Sequence, residues 1–215
     1  MTTRIVTIAH TEGAAGDSIG RGVADRLGFR FVDEQIIDDA ARRHGLDADL
    51  VANAERRRGF LRRFLEDLGT APAGDPSRAP GPRPLETKVP RRDEMQTFII
   101  EAIRETADAG HVVIASHAAG IPLKDRDDVL RVLITASFDT RVLRVAAGWT
   151  IAKAEAEKWL RDSDAGRAAY FKRFHGVDRE LPTHYDLVIN TDRITPEEAT
   201  DIVVGAAACI APPPI

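Results

Sequence analysis

Residues 8–20 read IAHTEGAAGDSIG and join a short apolar run to a helical pattern. The run RIVTIA at 4–9 is rich in β-branched residues and predicts a buried strand. The stretch DSIGRGVADRLG at 17–28 has an apolar residue at every fourth position and a final glycine, which predicts an amphipathic helix. Small residues between a strand and a helix are typical of a loop that binds phosphate through its backbone amides.

The side chains of this loop depart from the specific pattern G-x-x-x-x-G-K-[ST], in which a lysine neutralises the outer phosphate. Gly16 stands at the lysine position, and the acid Asp17 follows it. Ser18 could place its hydroxyl on Mg²⁺. From the bend alone, a structural turn and a phosphate site are equally good interpretations. The candidate phosphate-binding residues are Gly13, Ala14, Ala15, Gly16, Asp17 and Ser18.

Apolar runs and helical patterns alternate along the rest of the chain. Four more runs predict strands: FRFV at 29–32, HVVIAS at 111–116, VLRVLIT at 129–135 and YDLVIN at 185–190. Helical patterns cover 33–45, 46–69, 93–110, 137–148, 150–164 and 195–210, the last with Thr195 as its N-cap. This alternation predicts an α/β fold with a parallel sheet of about five strands and helices on both faces. Ligands of such sheets bind at the carboxyl ends of the strands.

Residues 70–92 interrupt this pattern, because six of the chain's twelve prolines lie there. Such a density of proline predicts a mobile loop or crossover rather than a helix or strand. The densest basic run, ERRRGFLRRF at 55–64, favours a solvated or partner-facing surface over nucleic-acid binding, since the net charge is −4.

Composition sets the broad class of the protein. With 215 residues and 43% hydrophobic content, the chain can bury one sizeable core. Its single cysteine, Cys209, excludes an intrachain disulfide framework, and we expect it to be a small buried residue. No apolar run reaches the roughly 20 residues of a membrane span. The N-terminus lacks the layout of a signal peptide. We therefore expect a cytoplasmic protein without a membrane segment and with no nucleic-acid partner. The sequence leaves its oligomeric state open between a monomer and a homodimer.

Several stretches together carry a family resemblance. They are HTEGAAGDSIGRGVADRLG at 10–28, FRFVDEQIIDDAARRHGL at 29–46, VLRVLITASFDTRVLRV at 129–145, DSDAGRAAYFKRFHG at 162–176 and YDLVINTDRITPEEATDIV at 185–203. With them, the sequence resembles the cytidylate kinase-like family, a branch of the P-loop nucleoside monophosphate (NMP) kinases. The stretch at 162–176 is similar to the family's lid, D-x-x-R-x-x-Y.

The resemblance implies one three-layer P-loop kinase domain over residues 1–215. A helical NMP-binding insertion would occupy 33–110 and a lid 160–177. The implied activity is transfer of the γ-phosphoryl group of ATP to a nucleoside monophosphate, CMP or dCMP, with Mg²⁺ as the metal. The implied partner is a small-molecule nucleotide.

The resemblance also assigns candidate side chains to the reaction. The candidate catalytic residues are Arg167 in the lid and Asp164 on the same helical face; an ordinary ion pair between them is the alternative. The candidate substrate-binding residues are Asp33, His117, Arg141, Arg144, Tyr170 and Arg173. Helix capping is the alternative for Asp33, packing for Tyr170 and an exposed surface position for the arginines.

Three positions lack the charge that the family usually has, because His10, Asp17 and His117 stand where arginine is usual. Histidine is mostly neutral at pH 7, so it replaces a guanidinium poorly. Asp17 would compete with a phosphate for the same amides, unless it acts as the N-cap of the helix. These losses support an alternative function, a catalytically weak or inactive nucleotide-binding regulatory protein on the same fold. Trp149 and Trp159 are predicted to be packing residues.

Overall fold

A computed structural model describes residues 3–33, 92–116 and 118–209. Four predicted features lie outside the described residues: the proline-rich stretch 70–92 except its last residue, the basic run 55–64, most of the expected insertion at 33–110, and His117. Of the described helices, none has the length and apolar character to cross a membrane.

Five parallel strands form one sheet in the order β2-β3-β1-β4-β5. They are β1 (Ile5–His10), β2 (Arg30–Val32), β3 (Val112–Ala115), β4 (Val129–Thr135) and β5 (Leu187–Asn190). The central strand β1 pairs with β3 on one side and β4 on the other, with Ile5 opposite both Val112 and Val129. All six residues of β1 are buried, as expected of a central strand covered on both faces. The predicted parallel sheet is confirmed.

Five helices flank this sheet in the described residues. They are α1 (Gly16–Leu27), α2 (Arg92–Asp108), α3 (Phe138–Trp149), α4 (Lys153–His175) and α5 (Pro196–Cys209), and a 3₁₀ turn spans Pro182–His184. Ile5 belongs to a core cluster with residues of α2 and α4, whereas Val6 belongs to a cluster with residues of α1 and α5. Neighbouring residues of β1 thus face opposite layers, and the three-layer arrangement is confirmed.

Local sequence explains where several helices begin and end. Helix α1 is followed by Gly28 in the left-handed conformation, with φ of 66°. The hydroxyl of Thr195 accepts a hydrogen bond from the Glu198 amide, and the Glu198 carboxylate accepts one from the Thr195 amide. This reciprocal cap confirms Thr195 as the N-cap of α5.

Two expectations about the helices are wrong. The helix predicted over 150–164 does not end there, because α4 runs continuously for 23 residues through the lid motif. Each half of α4 contributes buried residues, Leu160 against α3 and Phe171 in the sheet cluster, so packing supports the helix on both sides of the motif. Cys209 is exposed rather than buried, since it ends α5 beyond the last buried residue, Ala207.

Candidate functional site

The loop between β1 and α1 exposes the start of a helix at the carboxyl end of the central strand. Gly13 and Ala15 both have positive φ, 81° and 67°, and the amide of Ala14 closes a turn onto the carbonyl of Thr11 at 3.1 Å. Within the described chain, no backbone or side-chain group accepts from the amides of Gly16, Asp17 and Ser18. Three unsatisfied donors at a helix N-terminus can bind an anion.

Asp17 does not cap this helix. The left-handed Ala15 is the N-cap residue and helix α1 begins at Gly16, so Asp17 falls within the first turn and makes no capping bond. Its side chain is 67% exposed, and Oδ1 lies 3.8 Å from Nε2 of His10. The capping interpretation is therefore wrong, and the carboxylate stands beside the free amides without consuming them.

The structure leaves no space for a side chain at residue 16. A Cβ on Gly16 would lie 2.2 Å from Cγ of the His10 ring, well inside contact distance. His10 is only 8% exposed, so its ring has little room to turn away. Two residues together account for the missing lysine. Residue 16 is a glycine, and the His10 ring fills the volume that a side chain at residue 16 would need.

A cavity of about 370 Å³ opens in front of the loop, and we call it the loop cavity. It is lined by His10, Glu12, Gly13, Ala15, Gly16, Asp17, Ser18, Arg144, Val145 and Trp149. Five of the six candidate phosphate-binding residues are among them. Ala14 is the exception, because it is fully buried and its amide is already bonded to Thr11.

Thr191, which the sequence did not single out, holds the loop from behind. Its Oγ1 donates toward the carbonyls of Ala14 and Thr135, both at 3.2 Å, and accepts from Nη1 of Arg144 at 2.9 Å. Nη2 of Arg144 donates to the Thr191 carbonyl at 2.6 Å, and Nη1 lies 3.4 Å from the carbonyl of Gly13. Arg144 therefore lines the loop cavity while bracing the loop backbone. Thr191 directly follows β5, and this place at the carboxyl end of a strand is the sequence signal that could have identified it.

The lid arginine, Arg167, is buried and bonded to a carboxylate. Its Nε and Nη2 donate to Glu180 at 2.9 and 2.7 Å, and Nη1 donates to the carbonyl of His10 at 2.9 Å. Burial lowers the pKa of the Arg167 guanidinium, but the hydrogen bonds and charge of Glu180 raise it more, so the pKa stands above its ordinary value. Arg167 thus fastens α4 to the end of β1 as a permanent cation.

Tyr185 completes this cluster by donating its hydroxyl proton to Glu180. Burial, together with the charge of Glu180, raises the pKa of the Tyr185 phenol. Neither Glu180 nor Tyr185 was singled out from the sequence. Glu180 lies 13 residues beyond Arg167, after the end of α4, and the helical periodicity that placed Asp164 near Arg167 says nothing about it.

Asp164 pairs with Arg141 instead of Arg167. Nη1 and Nη2 of Arg141 donate to the two carboxylate oxygens of Asp164 at 2.9 and 2.7 Å. Arg141 is 6% exposed and also approaches the carbonyl of Glu12 at 3.4 Å. The alternative of an ordinary ion pair between Asp164 and Arg167 is therefore wrong, since Asp164 bonds to α3 and Arg167 bonds to the segment after α4.

These side chains line a second cavity of about 290 Å³, which we call the lid cavity. It is lined by Thr11, Arg141, Asp164, Arg167, Ala168, Phe171, Val177, Asp178, Arg179 and Glu180, so three arginines face three carboxylates. No lining residue is shared with the loop cavity. The candidate catalytic arginine and the candidate phosphate amides thus lie on adjoining but distinct cavities.

The remaining candidate substrate residues lie elsewhere. Asp33 follows the edge strand β2 and forms an ion pair with Arg21 of α1 at 3.2 Å. Tyr170 is 2% exposed and belongs to the core cluster, which corrects the expectation of a substrate contact in favour of packing. Arg173 is half-buried near the end of α4 and lines neither cavity.

Ser18 meets the requirement for a metal ligand at this site. Its hydroxyl is exposed, lines the loop cavity and donates to the carbonyl of Ala15 at 3.2 Å, which leaves oxygen lone pairs available. The described residues contain no group of three His, Cys, Asp or Glu side chains able to hold a metal ion. The site therefore fits Mg²⁺ bound mainly by phosphate oxygens and water, which is the usual mode for this ion.

Comparison with known proteins identifies the family. The model of the cytidylate kinase-like family matches residues 5–193. The chain belongs to the cytidylate kinase-like family. A cytidylate kinase of Sulfurisphaera tokodaii is 30% identical over 103 residues, which cover 48% of this chain and 57% of that protein. The match thus spans little more than half of that relative. A cytidylate kinase of Methanothrix thermoacetophila is 23% identical over 202 residues, covering 94% of this chain and 96% of that protein.

Solved structures with a similar fold were also found. An uncharacterised protein of Eubacterium ventriosum superposes with a TM-score of 0.64 at 14% identity, covering 96% of this chain and 99% of that one. A shikimate kinase of Bacteroides thetaiotaomicron gives a TM-score of 0.52 at 13% identity, covering 94% and 97%. These likenesses support an α/β P-loop kinase fold. Membership of the family is what makes this chain a nucleotide kinase-like protein.

Proposed function

We propose that this chain is an ATP-dependent nucleoside monophosphate kinase that acts on CMP or dCMP. The observation that carries the proposal is the start of α1, where the amides of Gly16, Asp17 and Ser18 lack acceptors in the described chain and line the loop cavity. Donors fixed in this way stabilise phosphate charge without reorganising during the reaction. The family membership supplies the class of ligand.

In this proposal, ATP places its phosphates at the mouth of α1. The amides of Gly16 to Ser18 donate to the phosphate oxygens, and Arg144, which lines the same cavity, adds positive charge. Ser18 is the protein ligand of Mg²⁺, which when bound neutralises phosphate charge. The bond between the γ-phosphorus and its bridging oxygen breaks, a new bond forms to a phosphate oxygen of the monophosphate, and ADP leaves.

Arg167 serves the transferring phosphoryl group by exchanging partners. Its guanidinium now neutralises Glu180, so a phosphate oxygen entering the lid cavity competes with that carboxylate for the same Nε and Nη2 donors. We propose that the acceptor is held by segment 33–110 together with Asp33 and His117. We further propose a cytoplasmic protein with no nucleic-acid partner.

A specific observation supports the alternative of a catalytically weak or inactive regulatory protein. Arg141 and Arg167 are each paired with a carboxylate, and the Asp17 carboxylate stands among the amides. The site would then hold a nucleotide without enough free positive charge to stabilise the transferring group. Fold and ligand class are the same in both cases, and only turnover differs.

Turnover and binding together separate the two functions. The protein is incubated with ATP, Mg²⁺ and each of a panel of nucleoside monophosphates, and ADP formation is measured. The kinase predicts ADP formation that is fastest with CMP or dCMP and falls at least about tenfold in Ser18→Ala, because the metal ligand is lost. A half-buried serine outside both cavities, Ser163, provides the matched control Ser163→Ala.

The outcomes divide cleanly. Stabilisation of the fold by Mg-ATP in a thermal melt, without ADP formation, would establish the regulatory alternative. Absence of both signals would contradict nucleotide binding altogether.

A further inference from the structure

Two chemically different kinds of residue line the loop cavity. The start of α1 and Arg144 suit phosphate, whereas Trp149 adds an aromatic side chain. Its volume of about 370 Å³ lies within the roughly 300–1,000 Å³ of small-molecule sites. The loop cavity is therefore large enough to hold more of a ligand than its phosphates.

Trp149 is held in place while remaining accessible. It is the last residue of α3, and its side chain is 38% exposed. Its ring packs edge-on against Trp159 of α4, with centroids 4.4 Å apart and an interplanar angle of 72°. Trp159 in turn packs against the cluster that includes Val142 and Leu160. A ring supported in this way loses little freedom when a ligand contacts it.

The lid cavity lacks an equivalent surface. The one aromatic residue among its described lining residues is Phe171, which is 2% exposed and covered by the guanidinium of Arg167 at 4.9 Å. Of the two cavities, the loop cavity is therefore the one that combines an exposed aromatic side chain with the amides at the start of α1.

We propose that Trp149 determines the specificity of the loop cavity by contacting the base of a nucleoside polyphosphate. The inference rests on the proposed function, because it takes the amides at the start of α1 as the phosphate subsite. Backbone amides cannot distinguish a nucleotide from an inorganic polyphosphate, whereas an indole stacks on any base. Trp149 thus selects nucleotides over polyphosphate, and it does so without strong preference among bases.

The test compares Mg-ATP with Mg-tripolyphosphate as ligands, using the full chain. Its two tryptophans, Trp149 and Trp159, make the variant Trp159→Phe a single-tryptophan reporter. We expect saturable quenching of Trp149 fluorescence by Mg-ATP and little change with Mg-tripolyphosphate. In calorimetry, Trp149→Ala should weaken Mg-ATP binding about tenfold and tripolyphosphate binding less than about twofold.

A milder variant guards against loss of the fold. Trp149→Phe keeps a smaller aromatic ring, so we expect an intermediate loss of Mg-ATP affinity. Calorimetry measures this loss without a tryptophan signal. Equal weakening of both ligands, or no weakening of either, would overturn the role of Trp149 and leave the proposed function intact. If the unaltered protein binds neither ligand, both the proposed function and this inference fail.

Discussion

The ring of His10 lies against Gly16 so closely that a Cβ there would be 2.2 Å from Cγ of the histidine. The two residues end β1 and begin α1, and together they determine what the loop can carry. With the ring in place, the position of the pattern's lysine has no room for a side chain. The site therefore relies on backbone amides, with Arg144 as the cation that lines the loop cavity among the described residues.

Gly16→Lys should destabilise the protein instead of restoring a standard loop. Inserting a side chain into occupied volume costs about 1–3 kcal/mol, so we expect a lower melting temperature. The double change His10→Gly with Gly16→Lys should recover part of this loss, because the ring is gone. Gly205→Ala, where a Cβ meets nothing within 4 Å, should not lower the melting temperature. Equal melting of Gly16→Lys and the unaltered protein would disprove the steric account.

Asp17→Asn should tighten Mg-ATP binding. A carboxylate about 4 Å from a phosphate costs roughly 1–4 kcal/mol, and exposure to solvent brings the cost toward the lower figure, so we expect at least about fivefold higher affinity. The gain should shrink at high salt because the charges are screened. Calorimetry would measure it, with Asp25→Asn near the other end of α1 as control. Unchanged affinity at low salt would mean that phosphate does not approach residue 17.

Thr191→Val should loosen the loop from behind. The change keeps the shape of the side chain but removes its hydrogen bonds to Ala14, Thr135 and Arg144, at a cost of about 1–3 kcal/mol in unfolding free energy. Amide exchange at Ala14, whose amide is bonded to the carbonyl of Thr11, should accelerate. Thr200→Val, which loses one bond within α5, is the matched control and should leave loop exchange unchanged. Loop exchange that stays slow in Thr191→Val would argue against its bracing role.

The pair of Arg131 and Asp186 should make stability sensitive to acid. Burial raises the pKa of Asp186, but hydrogen bonds and charge from Arg131 lower it more, so the folded pKa lies below the unfolded one. Its contribution is present above the unfolded pKa and is lost as the pH falls through the folded pKa.

Asp186→Asn should therefore destabilise the protein at about pH 7 and less at roughly pH 3, which lies below the ordinary aspartate pKa of about 3.9 in the unfolded chain, so that the contribution of the ion pair is already falling. Urea unfolding at the two pH values would measure this, with the exposed Asp127→Asn as control. A loss of the same size at both pH values would show that charge is not the cause.

The sheet could be predicted because its signal is local. VLRVLIT at 129–135 coincides with β4, since a strand buried on both faces is a nearly continuous apolar run. The loop at 13–18 was likewise marked by small residues between a strand and a helix. Its cap could not be foreseen, because Ala15 adopts a left-handed conformation that alanine seldom takes and that starts the helix before Asp17.

The partners of the charged residues were less accessible to sequence reasoning. Asp164 and Arg167 lie on one helical face, yet they do not pair with each other. Asp164 bonds to Arg141 of α3, and Arg167 bonds to Glu180 in the segment after α4. Thr191 acts on the loop across 177 positions of sequence. Such pairings depend on how elements pack, and periodicity along one element carries no information about them.

The central claim is that the amides at the start of α1 bind the phosphates of ATP. Amide chemical shifts of the ¹⁵N-labelled protein, recorded as Mg-ATP is added, test it most directly. We expect the largest saturable shifts at Gly16, Asp17 and Ser18, and small ones at the other end of α1 near Gly28. Shifts that leave these three amides unmoved while others saturate would place the nucleotide elsewhere and contradict the account.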